Sequence, residues 1–224
     1  MVKYGQALRA MSVLWWKPFE FDSLNLMVDA VSLSWPVQTW YRRMIAKAPR
    51  EEVEHLRQLT KQPIDIEALK KLPQNTFGYR YAIFFEKHYI SAGGHVGAAP
   101  GLVETFERDW VTQRFFKIHD ILHAIVGFGT DVPGEMGLQV FNMMNLREPY
   151  GIASVAGTPY MMLRYGQPVQ MVKEMMRGYK LSRKSYNLFF APFEDMWELD
   201  FNEVRARLGF EERTATNKPS ASSA

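Results

Sequence analysis

Helix-forming segments separated by proline and glycine run through almost the whole of this 224-residue chain. Their apolar residues recur at three- and four-residue intervals, the period of an α-helix that buries one face. Alternating runs rich in β-branched residues, which would indicate strands, are short and rare. The pattern shows neither an internal repeat nor an interdomain linker. The sequence therefore predicts an all-α protein with a single compact multi-helix domain over residues 1–210. The small, polar residues 211–224 predict a disordered tail.

Capping residues and helix breakers set the predicted helix bounds. Pro36 suits the first turn of a helix that ends near Pro49, and Gly209 suits the position just after the last helix. A run of small residues predicts a loop at 91–101. The predicted helices are 23–34, 35–49, 51–59, 66–72, 77–90, 104–126, 133–146, 167–186 and 194–208.

Composition excludes several kinds of site. The chain has no cysteine, so disulfides, thiolate nucleophiles and cysteine-bound metals are excluded. Lys and Arg total 27 against 24 Asp and Glu, without a long basic run, so we expect no nucleic-acid partner. Apolar runs fall short of the roughly 20 residues that a membrane span needs. The first residues lack the apolar core of a signal peptide, and we expect a cytoplasmic protein.

Two of the five histidines lie within one stretch, KIHDILHAIVGFGTDVPGE, at residues 117–135. On a helix, His119 and His123 are within about 40° of each other, and Asp120 is on the adjacent strip. The rest of this helix is mostly apolar, which predicts that it is buried. Buried polar groups are costly unless they are paired, so this polar strip needs partners.

A turn after the second histidine brings a further carboxylate into reach. Gly127 and Gly129 can end the first helix, and Thr130 or Asp131 can cap the next. If the two helices form an antiparallel hairpin, Glu135 is level with His123, each about 6 Å from the turn. Two imidazoles and one or two carboxylates are ligands for zinc or another divalent ion. The alternative is a buried His–Asp–Glu hydrogen-bond network without a metal.

The spacing His-Asp-x-x-His, followed after eleven residues by Glu, resembles the signature of the coenzyme Q (ubiquinone) biosynthesis protein four family. Three further segments are similar to that family. The resemblance covers about residues 72–210, where the matching segments are LPQNTFGYRYAIFFEKH (72–88), RFFKIHDILHAIVG (114–127) and WELDFNEVRARLG (197–209).

The resemblance implies a mainly helical, often dimeric protein that associates peripherally with membranes and acts in ubiquinone biosynthesis. It implies metal ligands at His119, Asp120, His123 and Glu135, with zinc expected first and magnesium or another divalent ion as alternatives. It also implies binding of a prenylated quinone precursor or isoprenoid lipid, and contact with other quinone-biosynthesis enzymes. Such proteins have been viewed both as organisers of the biosynthetic complex and as enzymes that oxidatively decarboxylate the prenylated benzoate ring.

An isoprenoid tail needs an apolar groove, and the aromatic helix at 77–90 and two methionine-rich runs are the candidates. Packing in an ordinary helical core is the alternative for all of them. The predicted lipid-binding residues are Tyr79, Phe84, Met143, Met144, Met161 and Met162.

Two other functions are compatible with the motif. A non-catalytic scaffold would hold prenylated intermediates for partner enzymes, with the metal in a structural role. A metal-dependent phosphohydrolase of the His-Asp type would need one more histidine upstream and an aspartate far downstream. The residues available for that are His88, His95, Asp195 and Asp200, although nothing in their spacing requires it.

Overall fold

The computed structural model describes residues 34–90 and 110–210 of the chain. Over these residues the regular elements are helices, and in place of a sheet there is an isolated antiparallel bridge between Thr76 and Asp200. The all-α prediction is therefore confirmed. The helices are α1 (Trp35–Ile45), α2 (Arg50–Lys61), α3 (Ile66–Leu69), α4 (Phe77–Phe85), α5 (Trp110–Leu122), α6 (Val132–Asn145), α7 (Pro149–Ala156), α8 (Thr158–Tyr165), α9 (Pro168–Ser182) and α10 (Phe201–Arg207).

Two α-helices continue into a wider, π-helical turn. Helix α4 is followed by the π-turn Glu86–Ile90, and α5 by the π-turn His123–Gly127. The sequence predicted ordinary helix in both places. Single π-turns occur often at functional sites, where they redirect side chains. The second of these turns begins at one of the candidate metal ligands.

The predicted helix at 194–208 is wrong in its first half. A 3₁₀-helix, Phe193–Met196, ends there, and α10 begins only at Phe201. The backbone between them pairs with the start of α4 instead, since the N–H of Phe77 donates to the Leu199 carbonyl at 2.8 Å. The Asp200 carboxylate then caps α10 by accepting from two of its first N–H groups.

Other bounds differ less. Helix α3 ends at Leu69 and α9 ends at Ser182, each earlier than predicted, and the sequence predicted neither α7 nor α8. Four predicted segments lie wholly or partly outside the described residues: the helix at 23–34, the loop at 91–101, the start of the helix at 104–126 and the tail at 211–224.

The described residues fall into two compact units. The first holds residues 34–61 and 110–116, and the second holds residues 62–90 and 117–210. In the first unit, Tyr41 packs against Phe115 with ring centroids 5.7 Å apart. The prediction of a single domain stays a prediction.

Close contact between α6 and α9 organises the second unit. Gly178 of α9 lies so near α6 that a Cβ atom on it would stand 2.1 Å from the Gly137 carbonyl oxygen. Elsewhere in this unit, Phe77 of α4 stacks on Trp197 at 4.8 Å between centroids. The second unit thus holds α6 together with residues 117–122 of α5, the part of that helix that carries His119.

Candidate metal centre

The turn between α5 and α6 matches its prediction closely. Gly127 has a φ of 90°, a left-handed conformation that favours glycine and ends the helix. Asp131 caps α6 by accepting a hydrogen bond from the Gly134 N–H at 3.3 Å. Pro133 lies at the start of α6, and Glu135 follows in its first turn. This local chemistry folds α6 back so that Glu135 reaches the end of α5.

His119, His123 and Glu135 converge on one point. Each contributes one ligand atom, and these atoms all lie within 4.8 Å of one another. The two Nε2 atoms are 3.2 Å apart. Glu135 approaches both rings, with Oε1 3.1 Å from Nε2 of His123 and Oε2 3.6 Å from Nε2 of His119.

Asp120 is not part of this group of three. It is half-buried, and its charge acts on two neighbours. Burial raises the pKa of the Tyr81 phenol well above its ordinary value, and the charges of Asp120 and Glu194 raise it further. Asp120 also helps to raise the pKa of His119. Its predicted role as a metal ligand therefore stays a prediction.

Each histidine ring is also held through its other nitrogen. Nδ1 of His123 lies 3.4 Å from the Phe128 carbonyl oxygen, to which it can donate. Nδ1 of His119 lies 3.4 Å from the Asn142 side-chain nitrogen. Phe84 covers the His123 ring in a stacked arrangement at 6.1 Å. Metal-binding histidines are typically oriented in this way by a hydrogen bond at the ring nitrogen that does not bind the ion.

Two arginines hold the π-turn that begins at His123. Arg205, only 6% exposed, donates to the Ile125 carbonyl. Arg177 donates to the Val126 and Gly127 carbonyls at 3.2 and 3.1 Å. The last carbonyls of a helix lack partners within it and carry partial negative charge, so cations are favourable there. These contacts fix the backbone that positions His123.

The Glu135 carboxylate and the His119 imidazole shift each other's pKa. Burial acts to lower the pKa of His119, but the hydrogen bond and charge of Glu135, with Asp120 and Glu148, raise it to about 9. Burial acts to raise the pKa of Glu135, but the charges and hydrogen bonds of His123 and His119 hold it well below its ordinary value. The metal-free site is thus stabilised as an imidazolium–carboxylate pair.

The donor set fits a divalent ion. Both Nδ1 atoms face groups of the chain, which leaves both Nε2 atoms and a carboxylate directed at one another. His123 is fully buried, whereas His119 and Glu135 have side chains 24% and 19% exposed, so the group is reached from that side. Two imidazoles and one carboxylate are a common set for zinc and related ions. The imidazolium–carboxylate pair without a metal remains the alternative.

The predicted lipid-binding residues are spread over several environments. Phe84 lies beside the candidate metal centre. Met161 is buried in an apolar cluster with Met136 and Met171, against which Met162 packs, so core packing accounts for both. Tyr79 and Met143 are half-buried, and Met144 is 42% exposed. Their role in lipid binding stays a prediction.

Sequence reasoning missed Asn142, Arg177 and Arg205. A signal existed for Asn142, since it follows Glu135 by seven residues, about two helical turns, and so lies on the same face of α6. No such signal existed for the arginines. They come from α9 and α10 and reach the π-turn only through tertiary packing.

The fold and site together define a class: an all-α protein in which two histidines at the end of one helix and a glutamate at the start of the next form a candidate metal centre. The sequence matches the family model described as coenzyme Q (ubiquinone) biosynthesis protein Coq4 over residues 8–214. The chain belongs to this family.

Individual relatives agree with the family match. The chain is 28% identical over 173 residues to the mitochondrial ubiquinone biosynthesis protein COQ4 homolog 1 of Culex quinquefasciatus, covering 76% of the chain and 58% of the relative. It is 24% identical over 162 residues to the mitochondrial COQ4 homolog of Aedes aegypti, covering 72% and 58%. The chain thus spans somewhat over half the length of these curated relatives.

The fold has a counterpart among crystal structures. A protein from Nostoc punctiforme PCC 73102, assigned to ubiquinone biosynthesis, superposes with a TM-score of 0.69 at 23% sequence identity. The match covers 93% of this chain and 99% of that one. At this identity the likeness establishes a shared fold.

Proposed function

We propose that this chain acts in the biosynthesis of ubiquinone or a related quinone, and that His119, His123 and Glu135 bind a divalent ion there. The observation that carries this is the convergence of two imidazole Nε2 atoms and one carboxylate within 4.8 Å. Three protein ligands leave a coordination position for substrate, as in catalytic sites. Family membership supplies the pathway, and zinc is the ion we expect first, with magnesium and others to be compared. Asp120 stays a candidate fourth ligand.

The substrate class we propose is a prenylated hydroxybenzoate. Its ring carboxylate and phenol oxygen are hard donors that suit a divalent ion. When bound, such an ion supplies Lewis acidity that stabilises negative charge on oxygen. The chain's own residues prepare the site for the ion: the Glu135 carboxylate offsets part of the ion's positive charge, and Phe84 shields the His123 side of the site from water. The reaction we propose is oxidative decarboxylation of this ring: the bond to the carboxylate breaks and CO2 leaves, the ring carbon gains a hydroxyl group, and O2 takes up the two electrons.

Incubating the metal-loaded full chain with a prenylated hydroxybenzoate in air, with products analysed by mass spectrometry, tests this function. We expect metal-dependent loss of CO2 from the ring, reduced at least about 100-fold by Glu135→Gln, which removes a ligand charge while keeping the side-chain volume. The matched control is Glu52→Gln, on an exposed position of α2. Tight binding of the compound without turnover in wild type would instead favour the scaffold.

The phosphohydrolase alternative has no specific support. Within residues 34–90 and 110–210, the metal-ligand group has three members and includes none of His88, Asp195 and Asp200. Asp200 caps α10, and Nδ1 of His88 bonds to the Thr130 hydroxyl at 3.0 Å. His95 lies outside the described residues.

We propose further that the exposed face of α9 contacts an anionic lipid surface. Val169, Val172, Met176 and Tyr179 recur at three- and four-residue intervals and are 67%, 49%, 51% and 38% exposed. The neighbouring face of α9 packs on α6, so this stripe is separate from the core. No helix of the described segments is both long and apolar enough to cross a membrane, and this face would lie along one. Amphipathic helices bind membranes in this way.

Charge favours lipid over a second copy of the chain. Lys173 and Lys180 are exposed beside the stripe and are positioned to meet anionic headgroups. Each such lysine contributes about 1 kcal/mol near an anionic surface. Antiparallel pairing of the same face with itself would instead place these lysines against their equivalents. The predicted homodimer therefore gains no support from this face and stays a prediction.

Lys173→Glu/Lys180→Glu is expected to weaken co-sedimentation of the full chain with vesicles of phosphatidylcholine and phosphatidylglycerol by at least about 30-fold. The control Lys47→Glu/Lys61→Glu makes the same charge change on exposed positions of the first unit and should bind nearly as wild type. Equal losses of vesicle binding in both charge variants would refute the lipid contact. A third variant, Val172→Asn/Met176→Gln, changes the apolar stripe itself. If it binds vesicles as wild type does and differs only in the molecular mass measured by light scattering, the lipid contact is also refuted.

A further inference from the structure

The side-chain amide of Asn142 lies between His119 and a second acid, the half-buried Glu148. Asn142 is 1% exposed. Its nitrogen is 3.4 Å from Nδ1 of His119, and the amide also hydrogen-bonds the Glu148 carboxyl. Its oxygen, Oδ1, is buried without a hydrogen-bond partner. A buried acceptor without a partner destabilises the fold, so its retention requires a reason.

The orientation of this amide decides which nitrogen of His119 carries the proton. With the amide nitrogen facing Nδ1, that ring nitrogen accepts, and a neutral ring has its proton on Nε2. In that tautomer the proton occupies Nε2, the atom that faces Glu135 and His123. A divalent ion needs the lone pair of Nε2, so the proton must then be on Nδ1 and needs an acceptor. Rotating the amide by about 180° exchanges two ends of nearly equal size and presents Oδ1 as that acceptor.

We propose that Asn142 is a positioning residue that selects the His119 tautomer, with Oδ1 accepting from Nδ1–H when a divalent ion is bound. The inference rests on the proposed function, because it requires an ion at the three ligands. The protonated ring of the imidazolium–carboxylate pair also carries a proton on Nδ1, so the same orientation of the amide suits that state. Rotation gives Oδ1 the partner that it lacks.

Glu148 is the second hydrogen-bond partner of the rotated amide. When the amide nitrogen is directed toward it, the Glu148 carboxylate accepts from that nitrogen. After rotation it faces Oδ1, and a protonated carboxyl can donate to that oxygen. Burial raises the pKa of Glu148 to about 7, although the charge of His119 and the Asn142 hydrogen bond act to lower it. Both forms of Glu148 are therefore accessible near neutral pH.

A second asparagine on the same helix shows what a purely structural amide looks like here. Asn145 is 5% exposed, similar to Asn142. Its nitrogen donates to the Ser185 hydroxyl and the Tyr186 carbonyl, each at 2.9 Å, and its oxygen accepts from the Leu188 N–H at 2.9 Å. Both ends of this amide are bonded in a single orientation. Asn145 is accordingly the matched control for Asn142.

Cobalt(II) titration of the chelator-treated full chain, followed by its visible absorption, tests the inference. Asn142→Leu removes the acceptor at similar volume and should weaken Co²⁺ binding about 10- to 100-fold. Asn142→Asp keeps an acceptor and should bind at least as tightly as wild type. Asn145→Leu should lower the melting temperature and leave Co²⁺ affinity unchanged. In zinc-loaded wild type, ¹⁵N NMR should show the His119 proton on Nδ1.

The outcomes separate the two proposals. Wild type that binds no Co²⁺ or Zn²⁺ would overturn the proposed function, and this inference with it. If wild type binds Co²⁺, two results would overturn the role of Asn142 alone. Either Asn142→Leu binds Co²⁺ as tightly as wild type, or Asn142→Asp binds it as weakly as Asn142→Leu. Should Asn142→Leu fail to fold, a His119 proton found on Nε2 in zinc-loaded wild type would overturn it equally.

Discussion

Replacing His123 by alanine is expected to reduce the divalent metal content of the purified chain from about one ion per molecule to near zero. The His123 side chain is fully buried, and its Nε2 lies 3.1 Å from Glu135 and 3.2 Å from Nε2 of His119. Its loss leaves two of the three ligands, and the ring also shields the remaining pair from solvent. Elemental analysis of protein purified without chelators measures the effect.

The comparison needs variants that separate ligand loss from unfolding. His55→Gln, on the exposed surface of α2, is the control for loss of a histidine and should keep the metal. Glu135→Gln has nearly the wild-type shape and should also lose the metal while its melting curve remains cooperative. A metal-free wild type that stays folded would contradict the prediction. It would favour the alternative in which the three residues form an imidazolium–carboxylate pair without a metal.

Local sequence chemistry accounts for the three clustered residues. The helical spacing of His119 and His123, the left-handed glycine at 127 and the Asp131 cap were all readable, and together they bring Glu135 to the histidines. The partners of the rings were not readable in the same way. Asn142 needs the packing of α6 on α5, and the Phe128 carbonyl needs the exact course of the turn. Tertiary contacts of this kind leave no periodic trace in a sequence.

The fold, too, was predictable from local sequence in some parts and not in others. Helix class and most bounds follow from apolar periodicity and capping, as for α2 and α6. The 194–208 segment failed because its backbone at 197–201 bonds to residues 75–78, more than a hundred positions earlier. The π-turn at His123 was also missed, because arginines from α9 and α10 satisfy its carbonyls. Long-range hydrogen bonds override helical propensity in both places.

Gly178→Ala is expected to destabilise the chain by about 3 kcal/mol, the upper end of the cost of overpacking. Helix propensity alone predicts the opposite sign, since alanine stabilises a helix interior by about 1 kcal/mol relative to glycine. Crowding decides the outcome, because the new Cβ would stand 2.1 Å from the Gly137 carbonyl oxygen and 3.2 Å from the Phe141 nitrogen. Backbone atoms cannot move aside as a flexible side chain can, so α9 has to separate from α6.

Gly166→Ala is the matched control, because it adds the same methyl group at a position with backbone strain but no crowding. A Cβ there meets nothing within 4 Å, but φ is 67°, so the cost is only left-handed strain of about 1 kcal/mol. Urea unfolding of both variants measures the difference. A Gly178→Ala chain as stable as wild type would mean that α6 and α9 are not in backbone contact. If they are, displacement of α6 should also shift Glu135 and Asn142 and weaken metal binding, which Gly166→Ala should leave unchanged.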